Sequence, residues 1–126
     1  FTKALEINGS LAEAYVNRGA SSRILGQIEA AIQDYNKGIS LNPNFAMAYY
    51  NRGVAYRHKN SYREAIVDYT KAIEIKPDYQ EAYHSRGVAN LKLGNRSAAR
   101  LDWQKAYEIN PNTEVGKSAL RNSQSL

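Results

Sequence analysis

Apolar residues recur along this chain at three- and four-residue steps, the spacing that collects side chains on one face of an α-helix. The stretch 62–75 is the clearest case: Ala65, Ile66, Tyr69, Ala72 and Ile73 fall on one stripe. The stretch 46–59 before it carries Tyr49, Val54, Ala55 and Tyr56, compatible with a second helical stripe. Asn60 breaks the two apart, and Gly26 and Gly94 stand at the matching places elsewhere; Asn and Gly tolerate the left-handed conformation that ends a helix. Lys76-Pro77 closes the second helix, because the residue before proline is pushed out of helical geometry. Asp78 then stands where a cap for the following helix is expected. The pattern predicts an all-α chain of helical hairpins.

The hairpins repeat. Pro43, Pro77 and Pro111 lie 34 residues apart, and residues 46–79 align over 12–45 and 80–113. Each copy opens with an aromatic (Tyr15, Tyr49, Tyr83), followed by an Arg-Gly pair (Arg18-Gly19, Arg52-Gly53, Arg86-Gly87). A small residue comes next (Ala31, Ala65, Ala99), then a second aromatic (Tyr35, Tyr69, Trp103), another small residue (Gly38, Ala72, Ala106) and the proline. The small residues leave room for close helix approach, and the aromatics fill the holes between them. Trp103 is expected to lie buried between the two helices of the last copy.

This order of aromatic, glycine, alanine, aromatic, alanine and proline resembles the tetratricopeptide repeat (TPR) family, and the resemblance covers nearly the whole chain. It implies a right-handed α-solenoid of helix-turn-helix units: three repeats at 12–45, 46–79 and 80–113. Residues 1–11 read as the C-terminal half of a truncated repeat, with residues 1–8 as the tail of its second helix, because Phe1, Ala4 and Asn8-Gly9 align with Tyr35, Gly38 and Asn42-Pro43. Residues 114–126 read as a capping helix, to about Asn122, and a frayed tail, or alternatively as the start of a next, truncated repeat. A helix left without its partner at the start suggests weak self-association through Phe1 and Leu5. A chain that begins with Phe1 rather than Met reads as a piece of a longer one.

By position, the resemblance places a concave ligand groove on the first helix of each repeat. Its residues are Glu13, Val16, Asn17, Ala20, Arg23 and Ile24; Met47, Tyr50, Asn51, Val54, Arg57 and His58; and Glu81, His84, Ser85, Val88, Leu91 and Lys92. Met47, Tyr50 and Val54 offer apolar contact, while Asn17 and Asn51 offer hydrogen bonds to a peptide backbone. Acidic Glu13 and Glu81 lie at one margin and basic Arg23, Arg57, His58 and Lys92 at the other, which suits a partner with acidic residues. Family members that grip carboxylate-terminated chaperone tails use Lys and Asn in the first repeat, Asn in the second, and Lys and Arg in the third. Those places here hold Val16, Ala20, Asn51, Glu81 and Ser85, so only Asn51 matches. The implied role is a non-enzymatic interaction module or scaffold that binds a peptide or partner helix and is not such a co-chaperone. The alternatives are an RNA-binding helical repeat or the regulatory region of a larger enzyme.

Composition changes this picture little. The net charge of +5 and pI near 9.5 permit an acidic partner or nucleic acid without requiring either, and protein ranks ahead of nucleic acid. No stretch approaches the ~20 apolar residues that span a bilayer, so no membrane partner is expected. With no cysteine and only His58 and His84, no metal site or cofactor is expected. No Gly-rich phosphate loop or catalytic triad pattern appears. Arg18, Arg52 and Arg86 each precede Asp34, Asp68 and Asp102 by sixteen residues, which reads as one repeated ion pair across each hairpin rather than a basic stripe. Lys37, Lys71 and Lys105, three residues after each Asp, read as helix-surface partners. Asn8-Gly9-Ser10 and Asn95-Arg96-Ser97 fit the glycosylation triplet, which means nothing without evidence of secretion.

Overall fold

A computed structural model describes residues 2–126, with side chains from residue 7 onward. The described residues form seven helices: α1 (Thr2–Ile24), α2 (Ile28–Leu41), α3 (Ala46–His58), α4 (Tyr62–Ile75), α5 (Gln80–Lys92), α6 (Arg96–Ile109) and α7 (Glu114–Gln124). Each helix packs on the next. In addition α1 touches α3, α3 touches α5 and α5 touches α7, whereas α2, α4 and α6 do not touch one another. A stack that is close on one side and splayed on the other curves, so α1, α3 and α5 line the concave face. This is a helical repeat solenoid.

The turns between paired helices form as the residue types require. Gly26, Asn60 and Gly94 have φ of 83°, 61° and 84°. The interiors repeat as well. Tyr35 and Tyr69 are completely buried and Trp103 is 2% exposed. Each aromatic lies on a glycine of the preceding helix: a Cβ built on Gly19, Gly53 or Gly87 would stand 2.7, 2.7 or 2.6 Å from the ring. Ala31, Ala65 and Ala99 are fully buried beside them.

Four expectations are corrected. The separate helix over residues 1–8 does not form, because α1 runs unbroken through Asn8-Gly9. Where the other copies have a proline, this one has Gly9, which permits a turn but does not force one. Asp78 is not the cap of α5; the tight turn closed by the Tyr79 N–H on the Lys76 carbonyl (3.1 Å) puts buried Tyr79 in that place. Lys71 pairs loosely with Glu74 at 4.0 Å rather than with Asp68, and Lys37 and Lys105 make no ion pair among the described residues, since each Asp is already taken by its arginine. The end of the chain is packed rather than loose: α7 continues to Gln124, and Leu126 lies against the cluster of Ala99, Trp103, Ala106 and Ala119. Phe1 and the Leu5 side chain, which carry the expected self-association, lie outside the described residues.

Gln80 anchors the cap. Its buried amide donates to the Ala106 and Asn110 carbonyls (2.7 and 2.8 Å) and accepts from the Thr113 hydroxyl (2.8 Å). Thr113 in turn caps α7 by accepting from the Gly116 N–H (2.9 Å). The matching positions in the first two copies are Ala12 and Ala46, so this tether is particular to the last hairpin.

Candidate ligand groove

The three Arg–Asp pairs form forks between paired helices. In each, Nε and one terminal nitrogen of the arginine donate to the two carboxylate oxygens of Asp34, Asp68 or Asp102, at 2.7–3.0 Å. Each guanidinium also stacks on the aromatic that opens its copy, 5.3 Å from Tyr15, 5.6 Å from Tyr49 and 5.3 Å from Tyr83. The remaining nitrogen of Arg52 reaches back to Asn36, and that of Arg86 to Thr70, tying each hairpin to the one before. These arginines are therefore structural and do not make a basic stripe.

The residues expected to line the groove divide into two sets. Glu13, Asn17, Ile24, Met47, His58, Glu81, Leu91 and Lys92 are exposed, and Ala20, Arg23, Tyr50, Asn51, Arg57, His84 and Val88 are half-buried. Val16, Val54 and Ser85 are buried. Val16 packs over Gly38, and Val54 joins Ala65, Tyr69 and Ala89 in a core cluster. Their expected part in ligand contact is corrected: on a helix with neighbours on three sides, only a narrow strip stays open.

Tyr50 bridges floor and core. Its ring sits 5.7 Å from that of Tyr69 and 5.2 Å from that of Tyr79, both tilted, and its hydroxyl meets that of Ser85 at 3.4 Å. His84 is fixed from two sides. Its backbone carbonyl accepts from the Trp103 indole (3.2 Å), and its ring Nε2 lies 3.4 Å from the Asn122 amide of α7. Asn122 thus carries the concave face beyond the last hairpin. In the sequence it reads only as a polar cap residue; its signal is the same 34-residue register, which sets Asn122 against Val54 and Val88.

One part of the groove is strongly cationic. Arg23 and Arg57, one copy apart, have no acidic partner within ion-pair distance among the described residues, unlike Arg18, Arg52 and Arg86. Burial and then the charges of Arg57 and Arg23 hold His58 below its ordinary value; burial and Arg57 do the same to His84. No group of three or more His, Cys, Asp or Glu side chains among the described residues is placed to hold a metal ion, and no described helix is long and apolar enough to cross a membrane.

Tetratricopeptide repeat models match residues 46–79 and 80–113, and a TPR repeat model matches residues 23–57. Among solved structures, the chain is similar to the Arabidopsis OM64 TPR domain, with TM-score 0.87 and 27% identity over 94% of this chain and 98% of that one. It is also similar to the first TPR of Spaghetti (RPAP3) bound to HSP90 peptide SRMEEVD, with TM-score 0.86 and 27% identity over 93% and 94% of the two chains. The second TPR of the same protein, bound to the same peptide, gives TM-score 0.82 and 30% identity over 86% of this chain and 99% of that one. No curated protein matches the chain.

Proposed function

Because the chain belongs to the tetratricopeptide repeat family, we propose that its concave face is a peptide-binding groove and that the protein is an interaction module or scaffold without catalysis of its own. The observation that carries this is the open strip along α1, α3 and α5. It alternates amides that can pair with a peptide backbone, Asn17 and Asn51, with the apolar surface of Met47, Tyr50 and Val88. Glu13 and Glu81 flank one side, and Arg23, Arg57 and Lys92 the other. The two RPAP3 domains, solved with peptides, support the same use of the fold. The ligand is an extended segment or helix of a partner protein, with an apolar anchor over Met47 and Tyr50 and acidic residues towards Arg57 and Lys92. The apolar anchor supplies most of the affinity, while charge at the margins sets orientation and on-rate.

This groove differs from a clamp for terminal carboxylates. At the positions that such a clamp would use, Val16 and Ser85 are buried, the Ser85 hydroxyl meets that of Tyr50, and Glu81 presents an exposed negative charge. Glu81 would repel a carboxylate rather than hold it.

The test is a peptide library displayed against the immobilised chain, with the selected peptides measured by fluorescence anisotropy. Met47→Glu and Asn51→Ala should each weaken the selected peptides by about 1 kcal/mol or more, the threshold that marks contributing interface residues. Peptides indifferent to both changes would place binding elsewhere. The heptapeptide SRMEEVD should bind no better than its C-terminal amide; a clear preference for the free carboxylate would overturn the distinction from a clamp.

A further inference from the structure

The first two hairpins enclose polar groups that lack a close hydrogen-bond partner. Nε of Arg23 and the hydroxyls of Tyr35 and Tyr69 are enclosed and have no hydrogen-bond partner. Both tyrosines are completely buried, which makes an unpaired hydroxyl costly. Their positions follow from the repeat. Tyr35 lies on Gly19 and Tyr69 on Gly53, and one helical turn beyond those glycines come Arg23 and Arg57. Burial pushes the Tyr35 phenol up, and the Arg23 guanidinium, facing that hydroxyl in a loose contact, pulls it partway back. Burial likewise pushes the Tyr69 phenol up, with Arg57 and then the nearby Ser85 hydroxyl acting against it. Each of the first two hairpins therefore sets an arginine near a buried phenol at the floor. His58 and His84, lowered first by burial and then by Arg57, lie within the same field.

The third hairpin lacks the arrangement. Leu91 stands where Arg23 and Arg57 stand, and Trp103 replaces the tyrosine with its N–H engaged by the His84 carbonyl. Elsewhere on the same helices, Arg18, Arg52 and Arg86 are neutralised by buried aspartates. Two guanidiniums one copy apart, both acting on His58 and both without acidic partners among the described residues, call for a negative, acceptor-rich group.

We propose that Arg23 and Arg57, half-buried on the concave face, form an anion subsite that receives an anionic side chain of the bound segment, either a carboxylate or a phosphoryl group. The assignment rests on the groove reading above and gives it a fixed point: the acidic residue of the ligand lies across α1 and α3, next to the apolar anchor on Tyr50. It takes a different place from the terminal-carboxylate clamp, whose positions here are Val16, Ala20, Asn51, Glu81 and Ser85.

The subsite can be probed without the natural partner. The probes are acetyl-Gly-Glu-Gly-amide, its phosphoserine and glutamine counterparts, and inorganic sulfate, followed by NMR at the arginine Nε–H and histidine ring signals. Saturable shifts of the Arg23 and Arg57 signals are expected with sulfate and with the glutamate and phosphoserine peptides, but not with the glutamine peptide. The relative affinities of the two anionic peptides tell carboxylate from phosphoryl. The double variant Arg23→Gln, Arg57→Gln should lose about tenfold or more, as expected on deleting charge-assisted hydrogen bonds. Arg63→Gln with Arg100→Gln removes equal charge from exposed positions on α4 and α6 and should change affinity less than about twofold, since exposed charges at a distance are screened. Arg23→Lys with Arg57→Lys, checked by circular dichroism, should retain part of the binding and so exclude misfolding as the cause. Shifts that do not saturate, or equal losses in both glutamine doubles, would overturn the subsite. So would a single-stranded RNA that displaces the anionic peptides and binds more tightly than they do. If library-selected peptides bind the groove while the anionic probes move nothing, the subsite falls and the groove stands. If the probes bind as expected and no peptide does, the groove reading alone falls.

Discussion

Gly53→Ala sets two effects of known size against each other. Gly53 lies in the middle of α3, and in a helix interior alanine is favoured over glycine by about 1 kcal/mol. Against this, the new Cβ would stand 2.7 Å from Cε1 and 2.9 Å from Cδ1 of Tyr69, and 3.2 Å from the Ala65 carbonyl oxygen. Tyr69 cannot swing aside, because it is fully buried among Val54, Ala65 and Ala89 with the Tyr50 ring against it. The carbonyl belongs to α4, so relief requires the two helices to separate. Overpacking of this kind costs about 1–3 kcal/mol, and the rigid surroundings place this case in the upper half of that range. The net loss is then about 1–2 kcal/mol after the propensity gain. In a thermal melt that corresponds to a fall of roughly 4–8 °C for a chain of this size. Gly9→Ala is the control, since its Cβ would meet nothing within 4 Å. It should stabilise α1 by up to ~1 kcal/mol. Urea melts of both variants, followed by circular dichroism, give the comparison. Combining Gly53→Ala with Tyr69→Leu, which removes the clashing atoms, should show a favourable coupling. If Gly53→Ala stabilises as Gly9→Ala does, α3 and α4 do not approach as closely as described.

Three further outcomes follow from the same packing. Trp103→Ala should cost about 3–5 kcal/mol in urea melts, since it empties a buried aromatic site and frees the His84 carbonyl; a cost below about 1 kcal/mol would mean that the burial is wrong. Asp68→Ala should destabilise by about 3–5 kcal/mol, because it strands Arg52 in a largely buried fork whose side chains are 22% and 3% exposed. Asp34→Ala should cost clearly less, because Arg18 is 68% exposed and can return to water; equal costs would refute the dependence on burial. The third outcome concerns pH. The folded His84 value lies below 6.5, so the unfolded chain takes up its proton first. Stability is then full above about pH 6.5 and declines as the pH falls through the folded value, and His84→Gln should flatten that decline in melts across this window.

The local features legible in the sequence are those set by a single residue type at a fixed spacing. The 34-residue period, the aromatic–glycine contacts and the sixteen-residue Arg–Asp spacing could all be read in this way, because each repeats and each has one dominant cause. So could the turns at Gly26, Asn60 and Gly94, where the residue is chosen for the positive φ it tolerates. Features decided by competition between neighbours were not legible. Whether α1 breaks at Asn8-Gly9 depends on what packs beside it, and glycine allows either outcome. The helices on the concave side contact their own partner, the preceding hairpin and each other, so they carry no clean stripe, and nothing in their periodicity separates buried Val16, Val54 and Ser85 from exposed Asn17 and Met47. The tether from Gln80 to the cap and the convergence of Arg23 and Arg57 near Tyr35 and Tyr69 join residues from different helices. Sequence sets the composition of each hairpin, but the angle at which hairpins stack decides which side chains meet across them, and that angle is a property of the packed whole.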